Sequence, residues 1–346
     1  MTRAWIRILC SCVCLAGTTG WTGAAAAAPR DTLSAAGRAL SWNPSRTFAH
    51  RSPPLHTVAL TRGRLRVSVN NVYGADADSL FRNIGVSWER LDIGTGSGLR
   101  YVQAAVADGM HVLPVFTEGD GGSLDGLTPS EVTSDIDSLV PQLARLGVTT
   151  LEFGNEVYRF LDARSYAALY DAAHVAAARR ITLLAPATTD YYEHARGGRA
   201  SWFSDLAAAL PGGAAEVDGL TLHPYGPMTT TCTDGYGWPM LSGLHAESVR
   251  AGFSRSLPWY ITEVGQQVWG APMECQPPVS EGVQASDVTK YLTAVAARDP
   301  WVAFLSFYTS RDADSGFGLL NLDNSPRPAF LALKAWMAAN AARVAG

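Results

Sequence analysis

The sequence predicts an α/β protein built as a single (β/α)8 barrel. From residue 64 onward short apolar runs alternate with helix-patterned stretches. Eight such couplets occupy about 280 residues, close to the roughly 250 usual for the fold. The competing α/β solution, an open doubly wound sheet, places a Gly-rich phosphate turn after its first strand, and Asn70-Asn71-Val72-Tyr73-Gly74 is no such turn.

The elements follow in order. Leu65, Val67 and Val69 alternate through residues 64–70 with the period of a strand, and residues 76–84 then take helical spacing with an Asp near the start. Further strands are predicted at 86–93, 111–116, 148–153, 181–186, 217–222, 259–262 and 302–308. Helices are predicted between and after them at 98–108, 129–146, 163–180, 200–210, 242–255, 285–298 and 329–343. Pro129, followed by Glu131 and Asp135, marks a helix start, where a proline loses no hydrogen bond and acids suit the dipole.

Composition narrows the function. With 47% hydrophobic and 17% charged residues, the chain is no disordered, collagen-like or multi-span membrane protein. Net charge is −4, and no Lys/Arg block offers an electrostatic footprint for nucleic acid or an anionic membrane. A neutral partner is expected.

Residues 1–28 read as a secretory signal: Arg3 and Arg7 precede an apolar run over 8–17, and Ala24 to Ala28 offer small-residue cleavage sites before Pro29. The run is too short to span a bilayer, and Thr18 stands where a lipoprotein would need Cys. A secreted chain, with no membrane insertion after cleavage, is therefore expected. Residues 29–57 are polar and irregular and read as a linker or loose N-terminal arm, leaving 58–346 as the barrel domain. Of five cysteines only Cys232 and Cys275 outlast signal removal, and two thiols in an oxidising compartment read as one disulfide.

In a barrel of this kind chemistry belongs to the carboxyl ends of the strands. Strand 2 closes on Trp88-Glu89-Arg90-Leu91-Asp92 and strand 4 on Phe153-Gly154-Asn155-Glu156. Strand 6 closes on His223-Pro224-Tyr225, strand 7 on Thr262-Glu263 and strand 8 on Phe307-Tyr308. Glycosidic cleavage needs one carboxylic acid to protonate the leaving oxygen and a carboxylate to receive the oxocarbenium-like carbon. Glu156 and Glu263, 107 residues apart, would emerge at the same rim if three couplets intervene.

On these residues the chain resembles the clan A glycoside hydrolases, the retaining barrel enzymes that include cellulases, mannanases, xylosidases and arabinofuranosidases. The motifs are Asn155-Glu156 closing strand 4 and Glu263 within Tyr260-Ile261-Thr262-Glu263-Val264-Gly265 closing strand 7. The resemblance spans roughly residues 64–340. It implies Glu156 as acid/base, Glu263 as nucleophile and Asn155 as a ligand of the sugar 2-OH. It also implies Arg90 as a positive charge beside the nucleophile, with His223 and Tyr225 forming a polar wall. Glu156 would have to begin protonated and Glu263 ionised, in environments that push their pKa values apart.

Two positions depart from the cellulase-like pattern: Pro114-Val115-Phe116-Thr117-Glu118 carries no His after strand 3, and Phe307 or Tyr308 replaces the strand 8 Trp. Tyr308 is the expected replacement at the site. Trp238 and Trp269, with Tyr191 and Tyr192, are candidates to stack sugar rings. No H-E-x-x-H or C-x-x-C occurs, and His174, His194 and His245 share no rim, so neither metal nor cofactor is expected.

The resulting expectation is a secreted retaining glycoside hydrolase acting on a β-linked polysaccharide or oligosaccharide. An exo-acting β-xylosidase or α-L-arabinofuranosidase is the alternative within the class, and a non-catalytic polysaccharide-binding barrel the alternative outside it.

Overall fold

The computed structural model describes residues 64–72, 75–94, 98–118, 124–187, 201–226, 238–270, 277–312 and 316–345. All lie in one compact unit, His56–Gly346. The expected signal and arm, the Cys232–Cys275 pair, Tyr191 and Tyr192 lie outside the described residues.

Eight parallel strands close into a barrel in chain order. They are β1 (Arg66–Asn70), β2 (Trp88–Asp92), β3 (His111–Phe116), β4 (Thr150–Phe153), β5 (Thr182–Pro186), β6 (Gly219–Leu222), β7 (Trp259–Val264) and β8 (Val302–Phe307). Among the described residues the helices are α1 (Ala75–Arg82), α2 (Leu99–Ala107), α3 (Pro129–Arg145), α4 (Ala163–Ala177), α5 (Trp202–Ala209), α6 (Leu241–Arg250), α7 (Glu281–Arg298) and α8 (Pro328–Ala339). Register closes the ring, Val67 of β1 pairing with Leu305 of β8.

The expected (β/α)8 barrel is thus the fold found. Local chemistry sets the boundaries. Thr128 and Glu131 form a capping box: Thr128 Oγ1 accepts from Glu131 N at 3.3 Å and Glu131 Oε2 accepts from Thr128 N at 2.8 Å, which starts α3 at Pro129. Helix α7 begins four residues before its apolar spacing suggests, because Ser280 caps it by accepting from Val283 N. Strand β7 runs on to Val264, so Glu263 is held by strand backbone rather than by the following loop.

Alternation along the strands sorts side chains to two sides of the barrel wall. Val67, Val69, Leu151, Phe153, Leu183, Ile261 and Leu305 join the large core between wall and helices. Inside the barrel, Leu113, Leu184, Tyr260 and Phe304 form a separate apolar layer. Toward the carboxyl ends the interior turns polar: Asn70, Arg90, Glu152, Thr262 and Ser306 are all buried there. A floor of charged groups rests on an apolar plug.

Glu89 takes the opposite side of β2 from Arg90 and is fully buried. Among the described residues neither of its oxygens meets a hydrogen-bond donor. Burial, reinforced by Asp78 and Asp108, raises its pKa to about 9, and burial with Asp108 raises Asp78 to about 7.

Candidate active site

The polar floor is organised by Arg90. Its Nε donates to Glu152 Oε2 at 2.5 Å, Nη1 to Glu263 Oε1 at 2.7 Å and Nη2 to Asn155 Oδ1 at 2.8 Å. One guanidinium therefore aligns β2, β4 and β7, a use suited to its planar fork of donors. Burial alone would weaken its charge, but Glu152 and Glu263 outweigh that and hold it firmly protonated. Because Asn155 spends its oxygen on Arg90, its amide N–H groups remain to donate elsewhere.

Glu156 reaches the site through an unusual turn. Gly154 follows β4 with φ +89°, and a Cβ there would lie 2.4 Å from Val157 Cγ1 and 2.9 Å from Leu124 Cδ1. Glu156 itself is left-handed at φ 47°. Strain of this sort, at a cost of order 1–3 kcal/mol, persists where surrounding structure over-determines it and is common at functional sites. Gly154→Ala should accordingly destabilise the fold by roughly 2–4 kcal/mol, read as a lowered denaturant midpoint, since the added methyl meets both a positive φ and two packed side chains.

His223 brings the two acids together. Its Nδ1 lies 3.0 Å from Glu156 Oε1 and 3.5 Å from Glu263 Oε2. Tyr225 donates its hydroxyl to Glu263 Oε2 at 2.6 Å, and the Arg159 guanidinium lies 3.1 Å from Glu156 Oε2. Both carboxyl groups keep partial access to solvent, 19% for Glu156 and 12% for Glu263, whereas Glu152 is sealed at 1%.

Charge in this cluster is distributed differently from the expectation of a Glu156 that begins protonated. Burial raises the Glu156 pKa, but the hydrogen bond and charge of His223, then Arg159 and Arg90, outweigh it and bring the group below its ordinary value. For His223 burial acts downward, yet Glu263 and Glu156 carry it above the usual imidazole value. Both directions favour His223 over Glu156 as the holder of a shared proton. Asp92, on the same side of β2 as Arg90 and one pleat nearer the mouth, is exposed there.

Six of the residues expected from sequence are joined in one cluster: Arg90, Asn155, Glu156, His223, Tyr225 and Glu263. Tyr308 borders it, its ring 6.1 Å from that of Tyr225, while Phe307 is buried and points away. Trp238 corrects the expectation of a sugar-stacking role. It is buried at 6% exposure with its ring 4.8 Å from Tyr291, so it packs α6 and α7 together and presents no face to a ligand. Trp269, by contrast, is 47% exposed beyond the end of β7. Its indole N–H donates to Asp312 Oδ2 at 2.8 Å; Arg327 Nη1 donates to the same oxygen at 2.5 Å and Gly316 N to Oδ1 at 2.7 Å.

Glu152, Thr262, Arg159 and Asp92 were not among the expected site residues. Glu152 carries the readable signal, a charge inside an apolar strand, which must be paired when buried. Among the described residues no group of three His, Cys, Asp or Glu side chains is arranged to hold a metal ion.

No family model matches the sequence, and no curated protein does. Solved structures share the fold. XacCel5A, solved also in complex with cellopentaose, superposes with a TM-score of 0.57 at 13% identity, over 79% of this chain and 98% of that one. A GH128 endo-β-1,3-glucanase from Sorangium cellulosum gives 0.52 at 18% identity, over 78% and 98%. A β-D-glucuronidase from Dictyoglomus thermophilum gives 0.50 at 14% identity over 76% of this chain, which spans only 46% of that longer protein.

Proposed function

We propose that this protein is a secreted retaining glycoside hydrolase that cleaves a β-linked polysaccharide or oligosaccharide by double displacement. The observation that carries the reading is the shared imidazole nitrogen. Oxygens touching His223 Nδ1 at 3.0 and 3.5 Å can be no farther apart than roughly 6.5 Å, the lower edge of the inverting range and compatible with the roughly 5–5.5 Å of retaining enzymes. A separation within that bound favours direct attack by Glu263 over activation of an intervening water. The barrel neighbours that act on β-1,3-glucan or hold cellopentaose support a β-linked glucan as the first substrate to try.

In this reading Glu263 attacks the anomeric carbon while Arg90 and Tyr225, on its two oxygens, orient it. Glu156 passes a proton to the glycosidic oxygen, then takes one from the water that releases the sugar. Asn155, its oxygen occupied by Arg90, donates to the sugar 2-OH, a contact that strengthens as charge develops. Tyr308 walls the central subsite and Trp269 offers a stacking face farther out. The decisive experiment exposes the protein to β-glucans, mannans, xylans and arabinogalactans and follows the first-formed anomer by proton NMR. Retention of configuration on one of these supports the reading. Inversion, or no sugar release from any of them, overturns it.

A further inference from the structure

We propose that Glu152, joined through Thr262 to His223, is a positioning residue that fixes which imidazole nitrogen carries its permanent proton and turns the other edge, with a transferable proton, to Glu156. The inference rests on the assignment of Glu156 as acid/base given above.

Donor counting leads there. Glu152 is a carboxylate and only accepts: Oε2 takes the Arg90 Nε–H at 2.5 Å and Oε1 takes the Thr262 hydroxyl proton at 3.0 Å. A threonine has one such proton. With it spent on Glu152, Thr262 Oγ1 can only accept from His223 Nε2, which lies 3.1 Å away. Nε2 therefore keeps its hydrogen in every protonation state. That leaves Nδ1, at 3.0 Å from Glu156 Oε1, as the edge where one proton is shared between imidazole and carboxyl.

The groups facing the ring favour the imidazole as resting place. Glu152 and Glu156 approach from β4 and the turn after it, Glu263 from β7, and Arg90 and Asp92 from β2, with Tyr225 beside the ring. The carboxylates outweigh burial and Arg90. In the first step the Nδ1 proton passes to Glu156 and on to the glycosidic oxygen as the C–O bond breaks, leaving a neutral imidazole. In the second step the attacking water gives its proton to Glu156, whence it returns to Nδ1. The cycle is balanced in protons and charge.

Glu152→Gln separates this role from a purely structural one. Arg90 Nε still requires an acceptor, so the new amide oxygen turns to it and the amide N–H faces Thr262. Thr262 then accepts from the amide and gives its own proton to Nε2, which moves the permanent hydrogen to Nδ1. Glu156 can now be protonated only from solvent. We expect kcat/KM to fall about 100-fold on substrates with poor leaving groups and to change little on activated aryl glycosides, with the alkaline limb of the pH profile moved to lower pH. Thr262→Val should reproduce the split and Thr262→Ser should restore wild-type behaviour. Nitrogen-15 NMR of His223 without substrate, followed through its titration to the neutral ring at alkaline pH, reads the tautomer directly: Nε2–H in the native protein, Nδ1–H in Glu152→Gln. Equal losses on both substrate types, an unmoved pH profile and an unchanged His223 tautomer would overturn the proposal. If the native protein cleaves no glycoside the functional reading fails, while the NMR comparison still decides for or against the relay.

Discussion

Replacing Glu263 by Gln should abolish formation of a glycosyl-enzyme, with turnover lower by about 10⁴-fold or more, because the amide cannot bond to the anomeric carbon. The amide oxygen can keep the Arg90 hydrogen bond while the amide N–H donates to the Tyr225 hydroxyl oxygen, so folding should be little affected and the loss should fall on kcat. Glu156→Ala should behave differently. Substrates with poor leaving groups should slow by about 10²–10⁴-fold, whereas activated aryl glycosides should form the intermediate at near-native rates and stall before release. Azide, small enough for the space vacated by the carboxyl, should then restore turnover and yield a glycosyl azide of retained configuration. Native turnover by both variants would refute the assignment.

The largest effect on stability should come from Glu89. Its folded pKa of about 9 lies far above an ordinary carboxyl value near 4.5, so the folded state holds a proton that the unfolded chain releases between those values. For a raised pKa the contribution to stability is complete below the unfolded value and is lost as pH rises toward the folded one. The melting temperature should therefore fall steadily from about pH 5 to about pH 9, by the equivalent of roughly 3 kcal/mol by pH 7. Asp78, raised to about 7, adds to the same slope in its lower half. Glu89→Gln removes the ionisation and should flatten the profile: similar to or slightly below the native protein at pH 5, and clearly more stable at pH 8–9. Parallel profiles from thermal unfolding of the two proteins would show that Glu89 is paired after all.

Strand parity explains how much of this was legible in sequence. Short apolar runs and helix spacing located all eight couplets, because barrel strands and their cover helices are amphipathic or wholly buried and leave a strong periodic trace. Polar residues just past each run located Glu156, His223, Tyr225 and Glu263, since at a barrel mouth those positions alone face both protein and solvent. Glu152 escaped because it sits before the end of its run, although Leu151 and Phe153 on either side mark it as inward-facing. Trp238 misled for the converse reason: an aromatic beside a long loop reads the same whether it faces ligand or packs beneath, and only the proximity of Tyr291 decides. The proton balance between Glu156 and His223 was equally out of reach, being set by distances between strands that no local pattern encodes.

Asp312 draws three stretches of chain onto one buried carboxylate: Trp269 beyond β7, Gly316 beyond β8, and Arg327 at the start of α8. A loop held in this way has surrendered its conformational entropy during folding, at the expense of global stability rather than of any later association. A ring that stacks on Trp269 meets an indole whose tilt is already fixed by its N–H, so little ordering is charged against the encounter. The same rigidity narrows choice, because a pinned plane accepts partners whose flat face comes at one angle and offers nothing to those that would need it to turn.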